Sequence, residues 1–96
     1  MAYRIVFTEN AIEDFNALGA RYRAMVRNAI RIHLTHEPAK LSRSRIKKLR
    51  DVRQPQFRLR VGEMRVFYDV IDKDVIITAI VQKEKTISWL EKYGKK

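Results

Sequence analysis

Arginines alternate with apolar residues in Phe57-Arg58-Leu59-Arg60-Val61, and a third arginine, Arg65, follows just after Gly62-Glu63. A two-residue turn at Gly62-Glu63, with glycine first as in a type II′ hairpin, pairs Val61 with Met64, Arg60 with Arg65 and Arg58 with Phe67. Side chains alternate between the two faces of a strand. One face therefore collects Phe57, Leu59, Val61, Met64, Val66 and Tyr68, a coherent core surface. The other collects Arg58, Arg60 and Arg65 around Phe67. Like charges directly opposite cost roughly 0.2–1 kcal/mol in a sheet, so Arg60 facing Arg65 is an expense that folding does not explain. Local conflicts of this kind are expected at functional sites.

Such a cluster suits phosphate. The planar guanidinium fork binds a phosphate bidentately and stabilises charge that develops on it. Cleavage of RNA needs that stabilisation, a base for the 2′-hydroxyl and an acid for the leaving 5′-oxygen. Lysine is a poor base at its reference pKa of about 10.4, but neighbouring cations disfavour its charged form and make it more useful. If the next hairpin turns at Lys73-Asp74, Gln82 lies beside Arg65, with Lys83 and Lys85 just past the strand. The residues expected to act on RNA are then Arg58, Arg65, Lys83 and Lys85, with Glu84 as a competing base and Tyr93 reaching a nucleotide from the last helix. Lys47, Lys48, Arg50, Arg60 and an exposed Phe67 are expected to contact the strand. The plainer reading, a solvated sheet face partly offset by Glu63 and Asp69, loses ground because the basic run Arg43 to Arg53 precedes the same strand.

The rest of the chain narrows the field. Its 96 residues fit one domain, and a hydrophobic share of 46% is too high for disorder. Twenty-one Lys and Arg against eleven Asp and Glu give a net charge of +10, which favours polyanions and salt-dependent binding to phosphate backbones. No cysteine is present, which excludes disulfides and thiolate sites. No apolar run approaches the roughly 18 residues of a membrane span, and the N-terminus does not read as a signal peptide, so a cytoplasmic protein is expected. His33 and His36 make a poor metal set; His33 falls on an apolar helix face and His36 at the negative end of the helix dipole. No metal or cofactor is expected. The stripe Arg23, Arg27, Arg31 reads as a solvated helix face.

The elements that must position the arginines follow from periodicity. Residues 2–7 suit a strand. Thr8 caps a helix to about Leu18, with Ala11, Ile12, Phe15 and Leu18 on one face. Gly19 interrupts it, and a second helix runs over 20–36 with Tyr22, Met25, Val26, Ala29, Ile30 and His33 inward, until Pro38. A basic loop over 39–56 holds a short strand near Arg45–Leu49. Strands follow over 56–61, 64–72 and 75–82, then a helix over 84–93 ending at Gly94. The expected fold is α+β, in the order β-α-α-β-β-β-α, with a helical hairpin and an antiparallel sheet.

The stretch from Phe57 to Val70, with its Arg58, Arg60, Gly62, Arg65 and Tyr68, resembles the strand-pair signature of the RelE/ParE toxin superfamily. Tyr3 to Thr8 with Ala11, Pro38 and Lys48-Leu49 extend the resemblance over nearly the whole chain. It implies a microbial RNase-like fold neutralised by a cognate antitoxin protein, with the toxin a monomer inside a hetero-oligomer. For the RelE branch it implies metal-free cleavage of mRNA in the ribosomal A site. Arg65 matches the arginine on the scissile phosphate, and Arg58 a basic position of RelE-type toxins. The chain departs at Gln56, where the best-known members carry lysine, and at Glu91, where a tyrosine belongs, with Tyr93 two residues later. Lys85 takes the basic place after the last strand. Two other functions fit the same residues: a ParE-like toxin that inhibits DNA gyrase through protein contacts, and an RNA-binding module with a degenerate site.

Overall fold

A computed structural model describes residues 2–96. Five strands and three helices follow in the order β1 (Arg4–Phe7), α1 (Glu9–Asn16), α2 (Ala20–Leu34), β2 (Ile46–Lys48), β3 (Phe57–Val61), β4 (Met64–Ile71), β5 (Asp74–Gln82) and α3 (Thr86–Tyr93). A single 3₁₀ turn, Lys83–Lys85, links β5 to α3. The strands form one sheet in the spatial order β1-β5-β4-β3-β2. Strands β2 to β5 pair antiparallel as expected, while β1 adds to β5 in parallel. That parallel pair needs the long excursion through α1, α2 and three strands to bring the chain back.

Thr8 caps α1 as its type predicts, its hydroxyl accepting the Ala11 N–H at 3.2 Å. Helix α2 ends at Leu34, and its buried residues are Val26, Ala29, Ile30 and Leu34. Tyr22 and Met25, expected inward, are exposed. These helices cover one sheet face, where Leu59, Val66, Tyr68, Val75 and Ile77 form the main core. Phe57 and Tyr68, directly paired, stack at 5.4 Å. The buried Tyr68 hydroxyl donates to the Pro38 carbonyl at 2.6 Å and thereby anchors the chain leaving α2. Burial raises the Tyr68 phenol above its ordinary pKa.

The β3–β4 register is the expected one, including Arg60 opposite Arg65. Gly62 takes a φ of 57° and Glu63 is not left-handed, which suits the type II′ turn. The next hairpin differs. Its turn is Asp72-Lys73, with Asp72 left-handed at φ 54°, because Ile71 pairs with Asp74. A β-bulge then inserts Thr78 between the pairs Tyr68–Ile77 and Phe67–Ala79. The bulge reverses the alternation, so Ile77 and Ile80 both face the main core, while Ala79 and Val81 face the other side. Val81, not Gln82, therefore stands opposite Arg65; Gln82 pairs with Met64.

Strand β1 covers only the first half of β5, up to the pair Phe7–Ile77. The exposed β5 edge beyond it is met by α1, where the Asp14 carboxylate accepts the Ile80 N–H at 3.0 Å. This contact satisfies an edge donor that would otherwise invite another strand. Helix α3 lies on the opposite sheet face from α1 and α2, above Phe67, Ala79 and Val81. Among the described residues no helix is long and apolar enough to cross a membrane.

Candidate functional site

The face beneath and beside α3 reads as rows across the hairpin: Arg60 with Arg65, Arg58 with Phe67, and Gln56 with Asp69. Strand β2 extends the middle row, because Lys47 pairs with Arg58. Lys47 therefore joins the arginines. Lys48 pairs with Phe57 and belongs to the opposite face, since successive strand residues alternate. Arg50 lies exposed in the loop before β3.

The guanidinium of Arg65 donates to the Gly62 and Met64 carbonyls at 3.0 and 2.9 Å, which holds it against the turn. Burial, and then the charges of Arg65 and Arg60, push the Arg58 guanidinium below its ordinary pKa. Arg65 is lowered in the same way, by burial and then Arg60, with Glu63 working against it. An arginine remains charged through such shifts, so their meaning is an unfavourable field awaiting negative charge. Among the described residues the ion pairs are Arg4–Asp74 and Lys40–Glu37, and neither touches this cluster. One nitrogen of Arg58, Nη1, is buried without a hydrogen-bond partner. A buried unpaired donor costs about 1–3 kcal/mol, more when charged.

Phe67, expected exposed, is fully buried. The indole of Trp89 stacks on it at 4.9 Å, with the ring planes 19° apart. Helix α3 needed an apolar landing place, and Phe67, Ala79 and Val81 supply it on an otherwise cationic face. Tyr93 lies one helical turn beyond Trp89, at 5.3 Å from its ring. It borders a recess with Asn10, Asp69 and Thr78, which none of the three arginines lines. The structure thus separates Tyr93 from the cluster.

The backbone N–H of Lys83 donates to the Glu63 carbonyl at 2.8 Å, so Lys83 sits against the turn that carries Arg65's acceptor. Lys85 instead borders a hollow with Asp14, Leu18, Met64 and Trp89, on the α1 side of β5. Glu84 is exposed between them. Gln56 has structural work: its Oε1 accepts the Val70 N–H at 2.8 Å, and its own N–H donates to the Asp69 carboxylate at 2.8 Å. A lysine there could not accept the Val70 N–H. That reciprocal clamp was missed in the sequence, although an acid opposite a glutamine across a predicted hairpin was its available signal.

A groove of about 570 Å³ lies elsewhere, between β1, α1 and α2. It is lined by apolar residues and edged by Arg27 and Arg31, with Arg27 packed 5.5 Å over the Phe15 ring. The arginine stripe of α2 is therefore partly engaged in packing. His33 is partly buried and held below its ordinary pKa by burial and by Arg45.

A mixed sheet clasped by helices on both faces, with cations gathered on the β3–β4 hairpin, defines a RelE-like toxin fold. Solved structures that it matches include RelE toxins, alone or with antitoxins. The toxin–antitoxin complex RelBE2 from Mycobacterium tuberculosis matches with 27% identity and a TM-score of 0.71, over 85% of this chain and 99% of the other. The archaeal RelE–RelB complex from Pyrococcus horikoshii matches with 23% identity and a TM-score of 0.70, over 86% and 97%. A mutant of the E. coli toxin RelE in the free state matches with 24% identity and a TM-score of 0.69, over 95% and 94%. No family model and no curated protein matches by sequence.

Proposed function

We propose that the chain is the toxin of a type II toxin–antitoxin system, a ribosome-dependent endoribonuclease that cleaves mRNA without metal and blocks translation in the cytoplasm. The carrying observation is the convergence of Arg58, Arg60 and Arg65 with no carboxylate among the described residues paired to them and one Arg58 nitrogen left without an acceptor. A phosphate bound beside the cluster would relieve the repulsion among the three.

In the proposed reaction the 2′-oxygen of one nucleotide attacks its own 3′-phosphorus. The new bond closes a 2′,3′-cyclic phosphate as the bond to the 5′-oxygen breaks; the base takes the 2′-hydroxyl proton, and a proton from solvent water passes to the leaving 5′-oxygen. Arg65 and Arg58 stabilise the charge gathering on the phosphate. Lys83 is the base we favour, because its backbone bond to Glu63 keeps it by the Arg65 turn; Lys85 and Glu84 lack such a tether. Arg60, Lys47 and Arg50 guide the strand. A cognate antitoxin is the expected partner, as the matched RelE–RelB complexes carry one.

The test is cleavage of mRNA on programmed ribosomes, with and without chelator. We expect cutting that chelator leaves unchanged and that Arg65→Ala slows at least tenfold. Intact mRNA with wild-type protein would overturn the reading. The separation of Tyr93 from the arginines favours one alternative, a ParE-like toxin acting on DNA gyrase, for which stalled gyrase–DNA complexes with intact mRNA are the expected result.

A further inference from the structure

Phe67 is stacked by Trp89 at 4.9 Å between ring centroids, and Tyr93 leans on Trp89 at 5.3 Å with its ring plane tilted by 42°. The first ring is fully buried; the last is 51% exposed. Tyr93 and Trp89 open on two adjoining recesses of about 270 and 280 Å³, which share Asn10, Thr78 and both rings. Asp69 closes the second recess from the sheet, and Lys95 borders it from the C-terminal tail.

Asp69 is only 6% exposed. Its Oδ1 accepts the Gln56 N–H, and its Oδ2 has no hydrogen bond or ion pair among the described residues. That oxygen is not among the buried polar atoms left without a partner, so water reaches it from the recess, where a ligand donor would take the water's place. The donor's surroundings constrain its kind. An aromatic platform favours a flat ring, and an amide and a hydroxyl at its edge favour a ligand with several polar atoms. Glu13 and Asp14 line the first recess, whereas Lys95 stands beside Asp69 in the second and Lys92 lies 5.2 Å over the Tyr93 ring, so the second recess is the one less suited to a cationic side chain. Those lysines suit a ligand attached to phosphates.

We infer that this recess binds a nucleobase, stacked on Tyr93 and donating an exocyclic amino group to Asp69, and that it selects amino-bearing bases over uracil. The inference rests on the RNA reading for its biological sense, not for its test. Asp69 shares the sheet face of Arg65 and Arg58, because positions 65, 67 and 69 alternate with the core residues. It lies four residues from Arg65, roughly 13 Å along an extended strand, a distance spanned by a few nucleotides. The recess therefore reads a base flanking the one held at the arginines.

The test uses the whole chain and the nucleosides adenosine, cytidine and uridine, which lack phosphate and so do not depend on the arginine cluster. Nuclear magnetic resonance titration would follow the Trp89 indole N–H and the Thr78 and Asn10 amides. We expect cytidine and adenosine to shift these signals with at least fivefold tighter binding than uridine. Tyr93→Ala, at an exposed position that spares the core, should abolish the shifts, whereas Arg58→Ala and Arg65→Ala should leave them intact. Asp69→Asn should narrow the preference over uridine, since an amide offers a donor as well as an acceptor. Equal binding of uridine, no shift at these signals, or their displacement by N-acetyl-arginine amide but not by nucleosides would overturn the inference. Failure of mRNA cleavage with the nucleoside preference retained would overturn the proposed function alone.

Discussion

Arg60 and Arg65 face each other across the β3–β4 hairpin, and no carboxylate among the described residues pairs with either. The pairing taxes the fold at the place where a polyanion would be bound. Replacing Arg60 by threonine, which suits a strand, is expected to stabilise the chain by roughly 0.2–1 kcal/mol while weakening RNA binding. Urea denaturation and RNA titration on the same variant check both halves. A variant that loses stability would show that the pair is held together by something other than its need for phosphate.

Loss of a phosphate contact has an ionic signature. Arg65→Ala should reduce the slope of log affinity against log salt by about 0.7 for single-stranded RNA, besides lowering affinity. Lys48→Ala, on the opposite face, should leave that slope unchanged. Fluorescence anisotropy at several salt concentrations reads both.

The stack of Trp89 on Phe67 is the main attachment of α3, a helix with no buried residue of its own. Trp89→Ala should cost about 1–3 kcal/mol, below the roughly 3–5 kcal/mol of fully buried aromatic truncations because the indole is only half-buried. Hydrogen exchange should show α3 less protected than β4 and β5 already in the wild type, and still less in the variant.

Gly62 holds φ at 57°, and a Cβ added there would come 3.2 Å from the Met25 Cε. Gly62→Ala should cost about 1–2 kcal/mol for the left-handed conformation. It should also weaken RNA binding, because the Gly62 carbonyl holds the Arg65 guanidinium. Thermal melts and the same anisotropy assay check it.

Burial holds the Asp69 carboxyl above its ordinary pKa, against the Gln56 N–H and Lys95 that favour its charge. Its folded value exceeds the unfolded one, so the folded state gains protons over that interval. The contribution to stability is present below the unfolded pKa and is lost as pH rises through the folded pKa. Asp69→Asn keeps an oxygen for the Gln56 N–H and has no charge to bury. It should therefore be more stable than wild type at neutral pH, with the gap closing as pH falls through the carboxylate range. Denaturation at pH 7 and pH 4 measures this.

The hairpin carrying the arginines was legible because its information is local. Alternation assigns the faces, and a glycine-first turn of two residues sets the register from Phe57 to Tyr68. The order of elements and the Thr8 cap were likewise written in short-range spacing. What lay beyond reach depends on contacts between distant parts of the chain. The Thr78 bulge moved Val81 opposite Arg65, and nothing in the run of β-branched residues in β5 announces an inserted residue. Burial of Phe67 was decided by where α3 lands, since an aromatic among arginines is equally readable as a platform for a base or for a helix. The same landing carried Tyr93 to Asp69 and away from Arg58. By itself the sequence determined that three arginines share a face of one hairpin. Only the tertiary structure decided which side chains join them, because helix α3, arriving from the far end of the chain, covers part of that face and leaves the rest open.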